Sequence, residues 1–133
     1  MIRYAGLDDF ELLKKWDKHI DEKELQNSII QKHVLICSEE KRFIGWLRYN
    51  LFWDQIPFMN MLFICEESRR KNKGSEILDF WEKEMVSQNY EWVLTSTRSD
   101  EQGQFFYRKK GYSDCGCLTL PNEPLEILLM KKL

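Results

Sequence analysis

The chain contains one short, strongly cationic segment whose residue types suit the binding of an anion. Four cations fall within five residues and are followed directly by Gly-Ser. The segment consists of Arg69, Arg70, Lys71, Asn72, Lys73, Gly74 and Ser75. The residues before it, 58–64, are apolar and of strand length, and the residues after it predict an amphipathic helix whose first turn lies at 74–76 and which ends near residue 87.

A strand, a short polar turn and a helix N-terminus in this order form a geometry that binds phosphate. The first N–H groups of a helix lack an intrahelical acceptor, and the helix dipole adds positive potential at the same point. The sequence therefore predicts a pyrophosphate site at residues 69–75. A solvated basic turn is the alternative, which the flanking strand and helix make less favoured. A P-loop hydrolase is excluded because Lys73-Gly74-Ser75 lacks the Gly-x-x-x-x-Gly-Lys order.

The composition indicates that the partner of this segment is a compact anion. The 133 residues are 43% hydrophobic and 32% charged, which fits one folded domain over residues 1–133. The net charge of −2 argues against a general field for nucleic acid. No apolar run approaches the ~20 residues of a membrane span, and the N-terminal residues resemble a strand rather than a secretory signal. We therefore expect a cytoplasmic protein without nucleic-acid or membrane partners.

The cysteines and histidines of the chain do not form a metal motif. The cysteines are Cys37, Cys65, Cys115 and Cys117. The last two form a C-x-C pair, but no second Cys or His pair stands at zinc spacing. Disulfides are rare in a reducing cytosol. We expect small thiols in the core or in strands, and no bound metal.

The remaining sequence predicts the elements that hold the cationic segment in place. Strands are expected at about residues 2–5, 33–38, 43–52, 58–64, 92–94, 112–118 and 125–130. Helices are expected from Asp8 or Asp9 to about Lys18, from Asp21 onward, over 74–87, and from Ser99 to Gly111. The order β-α-α-β-β-β-α-β-α-β-β predicts a single α/β (α+β) domain with a mixed, mainly antiparallel sheet flanked by helices.

Local signals mark several of these boundaries. Asp21-x-x-Glu24 and Ser99-x-x-Gln102 have the spacing of capping boxes. Gly111 suits a left-handed position just beyond a helix, with Tyr112 as the hydrophobic residue that follows it. Pro57 is expected to precede its strand rather than to lie within it.

The helix at 74–87 is predicted to be amphipathic. Its apolar stripe consists of Ile77, Leu78, Trp81 and Met85. Glu82, Lys83 and Glu84 are expected largely on the opposite, solvent-facing side.

The order of elements, together with the cationic segment, resembles the GNAT superfamily of acyl-CoA-dependent N-acyltransferases. The family's strongest motif, Gln/Arg-x-x-Gly-x-Gly/Ala, follows its fourth strand. Arg69 matches the first position of that motif and Gly74 the last. Asn72 stands where the family has its first glycine, and Glu66 where it frequently has a proline. Asn is the non-glycine residue that best tolerates left-handed backbone, so we expect the loop to form.

A second element of resemblance lies downstream, in a helix with a tyrosine before a Gly-aromatic pair. The matching residues are Asp100, Gly103, Tyr107, Gly111 and Tyr112. The family commonly has Asn and Ala where this chain has the aspartate and the first glycine. The closing residues, 126–133, also resemble the family's last strand, so the resemblance spans the chain.

The resemblance implies an N-acetyltransferase that moves an acetyl group from acetyl-CoA directly to a primary amine of a small molecule or peptide. It places the pantetheine arm on the fourth-strand backbone at Leu62, Phe63 and Ile64. It places the pyrophosphate on the N–H groups of 70–75, and Asp100 at a position that contacts the cofactor. The protein would be a monomer or a homodimer.

The resemblance also assigns chemical roles. Transfer requires a neutral amine, and the N–H of Ile64 can donate to the tetrahedral oxyanion. Tyr107 matches the family's general acid, and thiol and phenol pKa values of ~8.5 and ~10 make a tyrosine a workable proton donor to the leaving thiolate. A core aromatic is the alternative role for this residue.

The general base stays open at this point. Glu66 and Glu67 are the candidates, Asp100 and Asp54 are weaker ones, and a water chain with a buried amine of lowered pKa is an alternative. A covalent intermediate on Cys65 is disfavoured because no histidine neighbours it.

The acceptor cannot be named from the sequence. In the family, the first two helices and the loop between strands three and four face the acceptor. These segments contain Trp16, His19, Trp46, Tyr49, Phe52, Trp53 and Asp54. A non-catalytic CoA-binding sensor or interaction module of the same fold is the alternative function.

Overall fold

The computed structural model describes residues 1–133 and contains one mixed seven-stranded sheet with helices flanking it. The strands are β1 (Ile2–Tyr4), β2 (Val34–Glu39), β3 (Arg42–Phe52), β4 (Ile56–Ile64), β5 (Trp92–Arg98), β6 (Ser113–Leu118) and β7 (Glu126–Lys132). The helices are α1 (Phe10–Trp16), α2 (Glu22–Ile30), α3 (Lys73–Ser87) and α4 (Gly103–Lys109), with 3₁₀ turns at Leu7–Asp9 and Glu66–Ser68. The order of strands and helices along the chain is the predicted one.

The sheet has the strand order β1-β2-β3-β4-β5-β7-β6. The pairs β1–β2, β2–β3, β5–β7 and β6–β7 are antiparallel. The strands β4 and β5 are parallel, with Phe58 opposite Leu94 and Met59 opposite Thr95. The prediction of a mixed, mainly antiparallel sheet is therefore confirmed. None of the helices has the length and apolar character needed to cross a bilayer.

Two compact units can be distinguished, residues 1–50 with 61–81 and residues 51–60 with 82–133. In the first, α1 and α2 contribute to a core with β1, β2 and β3. Its buried members are Ala5, Leu13, Leu25, Ile29, Val34, Ile36 and Trp46. The predicted cap of α2 is confirmed, because the Asp21 carboxylate accepts the Glu24 N–H at 2.9 Å. Leu25 and Ile29 lie on its buried face, as their i,i+4 spacing predicts.

The first helix is shorter than the sequence predicted. Asp9 does precede α1, but its carboxylate accepts the Gly6 N–H at 2.8 Å and pairs with Arg3 instead of capping the helix. At the other end the backbone leaves the helix at Asp17, with ψ at 102°. Helix α1 therefore ends at Trp16 and does not reach Lys18.

The early end of α1 turns Asp17 into the core. Its side chain is fully buried and accepts Arg48 Nε at 2.8 Å and Trp46 Nε1 at 3.2 Å. A buried carboxylate is tolerated only when it is paired and hydrogen-bonded. This contact joins α1 to the middle of β3, and sequence analysis did not predict it.

Two connections each contain two successive left-handed residues other than glycine. Glu40 and Lys41 link β2 to β3 with φ of 51° and 64°. Trp53 and Asp54 link β3 to β4 with φ of 55° and 59°. Two successive positive φ values match the twist of paired strands, as in type I′ turns.

The expectation for Pro57 was wrong. The strand β4 begins at Ile56, so the proline lies inside it and is buried. Proline is tolerated at the start of a strand because it removes only one hydrogen-bond donor there.

The second unit contains β5, β6, β7 and α4. The strand β5 extends to Arg98, beyond the predicted end at residue 94, because it pairs with β7 at seven successive positions. The predicted capping box at Ser99 does not form: Gln102 precedes α4 and makes no side-chain cap bond. The N–H of Ser99 donates instead to the Leu125 carbonyl at 2.7 Å.

Gly45 provides a test of the packing of β3 against β4. A Cβ atom at this position would overlap the carbonyl oxygen of Phe63 and lie 2.7 Å from Ile64 Cδ1. We predict that Gly45→Ala lowers the free energy of unfolding by about 1–3 kcal/mol through overpacking. The matched control is Gly6→Ala, where an added Cβ meets nothing within 4 Å. Urea unfolding of both variants measures the difference, and equal stabilities would contradict this account.

Candidate active site

The cationic segment leads directly into the N-terminus of α3. This helix begins at Lys73, three residues before Glu76. The N–H of Glu76 donates to the Asn72 carbonyl at 2.9 Å. The N–H groups of Lys73, Gly74 and Ser75 precede this bond and have no acceptor within the helix. The helix is 15 residues long, so its dipole adds positive potential to these three donors.

The turn before α3 contains two residues in the left-handed region. Arg70 has φ of 64° and Asn72 has φ of 61°. The expectation that Asn72 takes the backbone of the family's glycine agrees with this value. Successive N–H groups near left-handed residues form concave surfaces that bind anions.

The cations of the segment differ in their surroundings. Arg69 Nε donates to the Ile64 carbonyl at 2.8 Å, and its guanidinium lies 5.3 Å from the Phe63 ring centre. Arg69 therefore ties the turn to the end of β4. The side chains of Arg70 and Lys71 are exposed and add positive charge at the surface.

Lys73 is paired with carboxylates in this structure. Its Nζ lies 3.2 Å from Glu39 and 3.5 Å from Glu76. The hydrogen bond that Lys73 donates to Glu39 raises the pKa of Lys73, and the same contact lowers the pKa of Glu39. The sequence showed the cation but not the carboxylate that β2 brings to it.

At the end of β4, successive backbone N–H and C=O groups point alternately toward β3 and away from it. The Cys65 N–H donates to the Ile44 carbonyl of β3 at 2.7 Å. Because backbone groups alternate along a strand, the N–H and C=O of Ile64 point away from β3. The ring of Phe63 packs against Trp46 and Trp16, with ring centres 5.0 and 5.8 Å apart. Leu62 is half-buried.

The candidate bases lie on the surface. Glu66 and Glu67 are exposed in the 3₁₀ turn that follows β4. Asp100 is exposed and accepts Arg98 Nη2 at 3.0 Å. Asp54 is exposed in the left-handed turn between β3 and β4.

Cys65 is an unsuitable nucleophile in this environment. It is only 3% exposed, and burial raises the pKa of its thiol. A thiol reacts as its thiolate, so a buried thiol with a raised pKa is inert. This agrees with the preference for direct transfer.

The aromatic residues expected near the acceptor fall into two groups. Trp46 and Tyr49 are 2% exposed and belong to the core. Trp53 is 73% exposed on the turn after β3, and its ring lies 4.7 Å from that of Phe52.

Tyr107 is positioned by the end of α4. The Tyr112 N–H donates to the Tyr107 carbonyl at 3.0 Å, and the Gly111 N–H donates to the Arg108 carbonyl at 3.1 Å. Gly111 has φ of 96°, as the sequence predicted for the residue just beyond this helix. This is the Schellman motif, which also brings the flanking hydrophobic side chains together. The rings of Tyr107 and Tyr112 meet edge to face at 5.7 Å.

A buried network holds Tyr112 in turn. The Tyr112 hydroxyl donates to Glu82 Oε2, and Lys131 Nζ donates to Glu82 Oε1, both at 2.8 Å. Glu82 is 8% exposed, so the expectation that it faces solvent was wrong. Glu82 stands four residues after Leu78 and one after Trp81, so it lies beside the apolar stripe of the helix. This spacing is the feature of the sequence that could have predicted its burial.

The Tyr107 hydroxyl is buried beside the side chain of Thr95 in β5. Thr95 Oγ1 donates to the Met59 carbonyl of β4 at 3.0 Å. Burial raises the pKa of Tyr107 to about 12, and the neighbouring Thr95 side chain acts in the opposite direction. Tyr107 is therefore protonated at neutral pH.

Comparison with known proteins identifies the family to which this chain belongs. A sequence model of the acetyltransferase (GNAT) domain matches residues 5–132. The chain belongs to the GNAT acetyltransferase family. No curated protein matches it by sequence.

Solved structures share the fold over nearly the whole chain. Ard1 from Thermoplasma volcanium has a TM-score of 0.85 at 15% identity, covering 100% of this chain and 97% of that one. A GNAT acetyltransferase from Bacillus cereus has a TM-score of 0.78 at 22% identity, with 99% and 96% covered. PaiA N-acetyltransferase from Thermoplasma acidophilum, in complex with coenzyme A, has a TM-score of 0.79 at 17% identity, with 100% and 98% covered.

The left-handed backbone at Asn72 can be tested by measuring how substitutions there change the stability of the protein. Glycine adopts this backbone without strain, whereas a side chain in the left-handed region costs about 1–2 kcal/mol, most for branched residues. We predict that Asn72→Gly keeps or raises the free energy of unfolding and that Asn72→Val lowers it. Lys71→Val at the exposed neighbouring position is the control, with an expected change within about 0.5 kcal/mol. Denaturant unfolding that showed equal losses for both valine variants would contradict the assigned backbone.

Proposed function

We propose that this protein is an N-acetyltransferase that transfers an acetyl group from acetyl-CoA directly to a primary amine of a small molecule or peptide. The observation that carries the proposal is the start of α3, where three N–H groups without helical acceptors follow a left-handed Asn72. Membership of the GNAT family supports acetyl transfer. The structure of the PaiA relative contains coenzyme A, which supports the choice of cofactor.

The cofactor's pyrophosphate would accept hydrogen bonds from the N–H groups of Lys73, Gly74 and Ser75. Arg70 and Lys71, which are exposed, would speed capture of the anion and add charge-assisted contacts. The remaining proposed contacts follow the family resemblance. The backbone of residues 62–64 would bind the pantetheine arm, and Arg69, Asn72 and Asp100 would lie around the nucleotide. No metal takes part in this proposal.

The chemical step would use two groups of this chain. The Ile64 N–H would donate to the oxyanion that forms when a neutral amine attacks the thioester carbonyl. The Tyr107 hydroxyl would donate its proton toward the departing thiolate. Its pKa of about 12 lies above the ~8.5 of an ordinary thiol. Complete proton transfer is therefore uphill, and the hydroxyl acts mainly as a hydrogen-bond donor to the developing charge.

The acceptor must lose a proton from its ammonium form to become the neutral amine that attacks, and this proton needs a separate acceptor. We propose Glu66 or Glu67, because they follow β4 directly and are open to water that can carry the proton. Burial of the amine would assist by lowering its pKa.

A CoA-binding sensor or interaction module without catalysis is the second candidate function. The burial of the Tyr107 hydroxyl beside Thr95 favours it, since a hydroxyl in this position can serve packing alone. Release of free thiol from acetyl-CoA in the presence of a panel of amines separates the two functions. The sensor binds the cofactor and releases no thiol above the rate without protein.

Gly74 tests the assignment of the anion site. We predict that Gly74→Glu loses measurable CoA binding, because it adds bulk and negative charge beside the helix N-terminus. A carboxylate near that end favours the helix itself, so the fold persists. Gly74→Gln, with similar bulk and no charge, is the control and retains part of the affinity. Isothermal titration calorimetry measures both, and unchanged affinity in Gly74→Glu would remove the assignment.

Lys71 tests the contribution of exposed charge. We predict that Lys71→Ala weakens CoA binding only modestly and that the difference from wild type shrinks as salt is added. Calorimetry at low and high ionic strength measures this. A loss that does not depend on salt would indicate a direct, desolvated contact instead.

Tyr107 tests the proposed acid. Tyr107→Phe keeps the ring against Tyr112 and removes only the hydroxyl. We predict that kcat falls by ~10²-fold, the low end for general acid catalysis, while CoA affinity is unchanged. Steady-state kinetics with calorimetry separate this from a positioning role, which would raise KM for acetyl-CoA at constant kcat. Full activity would make Tyr107 a packing residue.

A further inference from the structure

Lys73, the first residue of α3, is shared by two carboxylates. Its Nζ lies 3.2 Å from Glu39 and 3.5 Å from Glu76, and its side chain is 23% exposed. Glu76 follows within the first turn of the same helix, whereas Glu39 is the last residue of β2. The tertiary fold therefore brings a second negative charge to the helix end that is proposed to bind an anion.

Glu39 has other cations available besides Lys73. In the β2–β3 hairpin it lies directly opposite Arg42, so the two side chains share one face of the sheet. The hydrogen bond from Lys73 is the main cause that lowers the pKa of Glu39, and the charges of Lys71 and Arg42 act in the same direction. The Glu39 side chain is also 40% exposed, so water can solvate its carboxylate. Departure of Lys73 would thus leave the Glu39 charge compensated.

We propose that Glu39 competes with the cofactor's pyrophosphate for Lys73, so that the ammonium changes partner when CoA binds and returns to Glu39 when CoA leaves. This inference rests on the proposed function, since it needs CoA at the start of α3. The N–H of Lys73 is one of the three donors there, and its side chain is a flexible stem that ends in three further donors. The ammonium can therefore reach an anion bound to the backbone of the same residue.

Competition for Lys73 would favour release of the product. The pyrophosphate is common to acetyl-CoA and CoA, and it is remote from the acetyl group that reacts. Binding energy that is equal in the ground state and the transition state does not raise kcat. A contact that tightens both cofactor complexes would instead slow the departure of CoA, and product release limits turnover in many enzymes. By taking Lys73 back, Glu39 weakens the hold on the product.

A purely structural ion pair predicts the opposite effect of a substitution. In that role the contact between Glu39 and Lys73 would hold the start of α3 in place. Its removal would then loosen the anion site and weaken CoA binding. Competition predicts tighter binding instead, so the direction of the change separates the two roles.

Glu39→Gln tests the competition, because it keeps the size of the side chain and removes its charge. Calorimetry should give a Kd for CoA that is lower by roughly two- to five-fold, as expected from the modest strength of an exposed ion pair. The difference from wild type should shrink as salt is added. Stopped-flow displacement of CoA should show that the gain lies in slower dissociation.

Glu40→Gln is the matched control. Glu40 is the exposed neighbour of Glu39, and its substitution changes the net charge by the same amount. Its ion-pair partners do not include Lys73. The Kd of this variant for CoA should stay within about two-fold of wild type.

A second background shows whether Lys73 is the group that is released. In Lys73→Met no ammonium is available, so adding Glu39→Gln should change the Kd for CoA by less than about two-fold. Replacing CoA by 3′-dephospho-CoA in the wild-type background should preserve the gain, because this ligand retains the pyrophosphate. Circular dichroism and urea unfolding of each variant check that the fold is retained.

Four outcomes would overturn the proposal. Unchanged or weaker CoA binding by Glu39→Gln, with a wild type that binds CoA, would do so and leave the proposed function intact. An equal gain in the Lys73→Met background would indicate a general effect of charge in place of an exchange of partners. Loss of the gain with 3′-dephospho-CoA would place Lys73 at the 3′-phosphate. A wild type that does not bind CoA would contradict the proposed function and this inference together.

Discussion

Left-handed backbone at the ends of two helices is the constraint on which the candidate site depends. Asn72 turns the chain into α3 and leaves three N–H groups pointing outward, and Gly111 turns it out of α4 and sets the ring of Tyr107 against Tyr112. Side chains in this region are costly, so each position accepts few residue types. The chemistry of the two ends differs, but both depend on positive φ angles, at Arg70 and Asn72 before α3 and at Gly111 after α4.

The order of the elements and several of their ends were predictable because their causes are local. The cap at Asp21 and the glycine at 111 act within a few residues, so the sequence shows both partners at once. The error at Ser99 has the opposite cause, because the N–H of Ser99 bonds with Leu125, a residue far along the chain. Pro57 was misplaced because a strand start tolerates a proline that local rules treat as a boundary.

The candidate site was predictable in its cations and in Tyr107, but not in their partners. Lys73 meets Glu39 of β2, and Tyr107 meets Thr95 of β5, and both contacts depend on the tertiary fold. The two buried carboxylates were missed for the same reason. Asp17 is satisfied by Arg48, 31 residues away, and Glu82 by Tyr112, 30 residues away. A charged residue in a sequence is read as exposed unless its distant partner is known.

The hydrogen bond from Thr95 to the Met59 carbonyl connects the pairing of β4 and β5 with the acidity of Tyr107. Thr95 faces Met59 across the parallel pair and also contacts the phenol of Tyr107. Burial raises the pKa of this hydroxyl, so any opening of the β4–β5 pair that admitted water here would lower it. The pKa of Tyr107 thus depends on how β4 and β5 pair as well as on the tyrosine itself. The acidity of one phenol would consequently depend on the spacing of two strands.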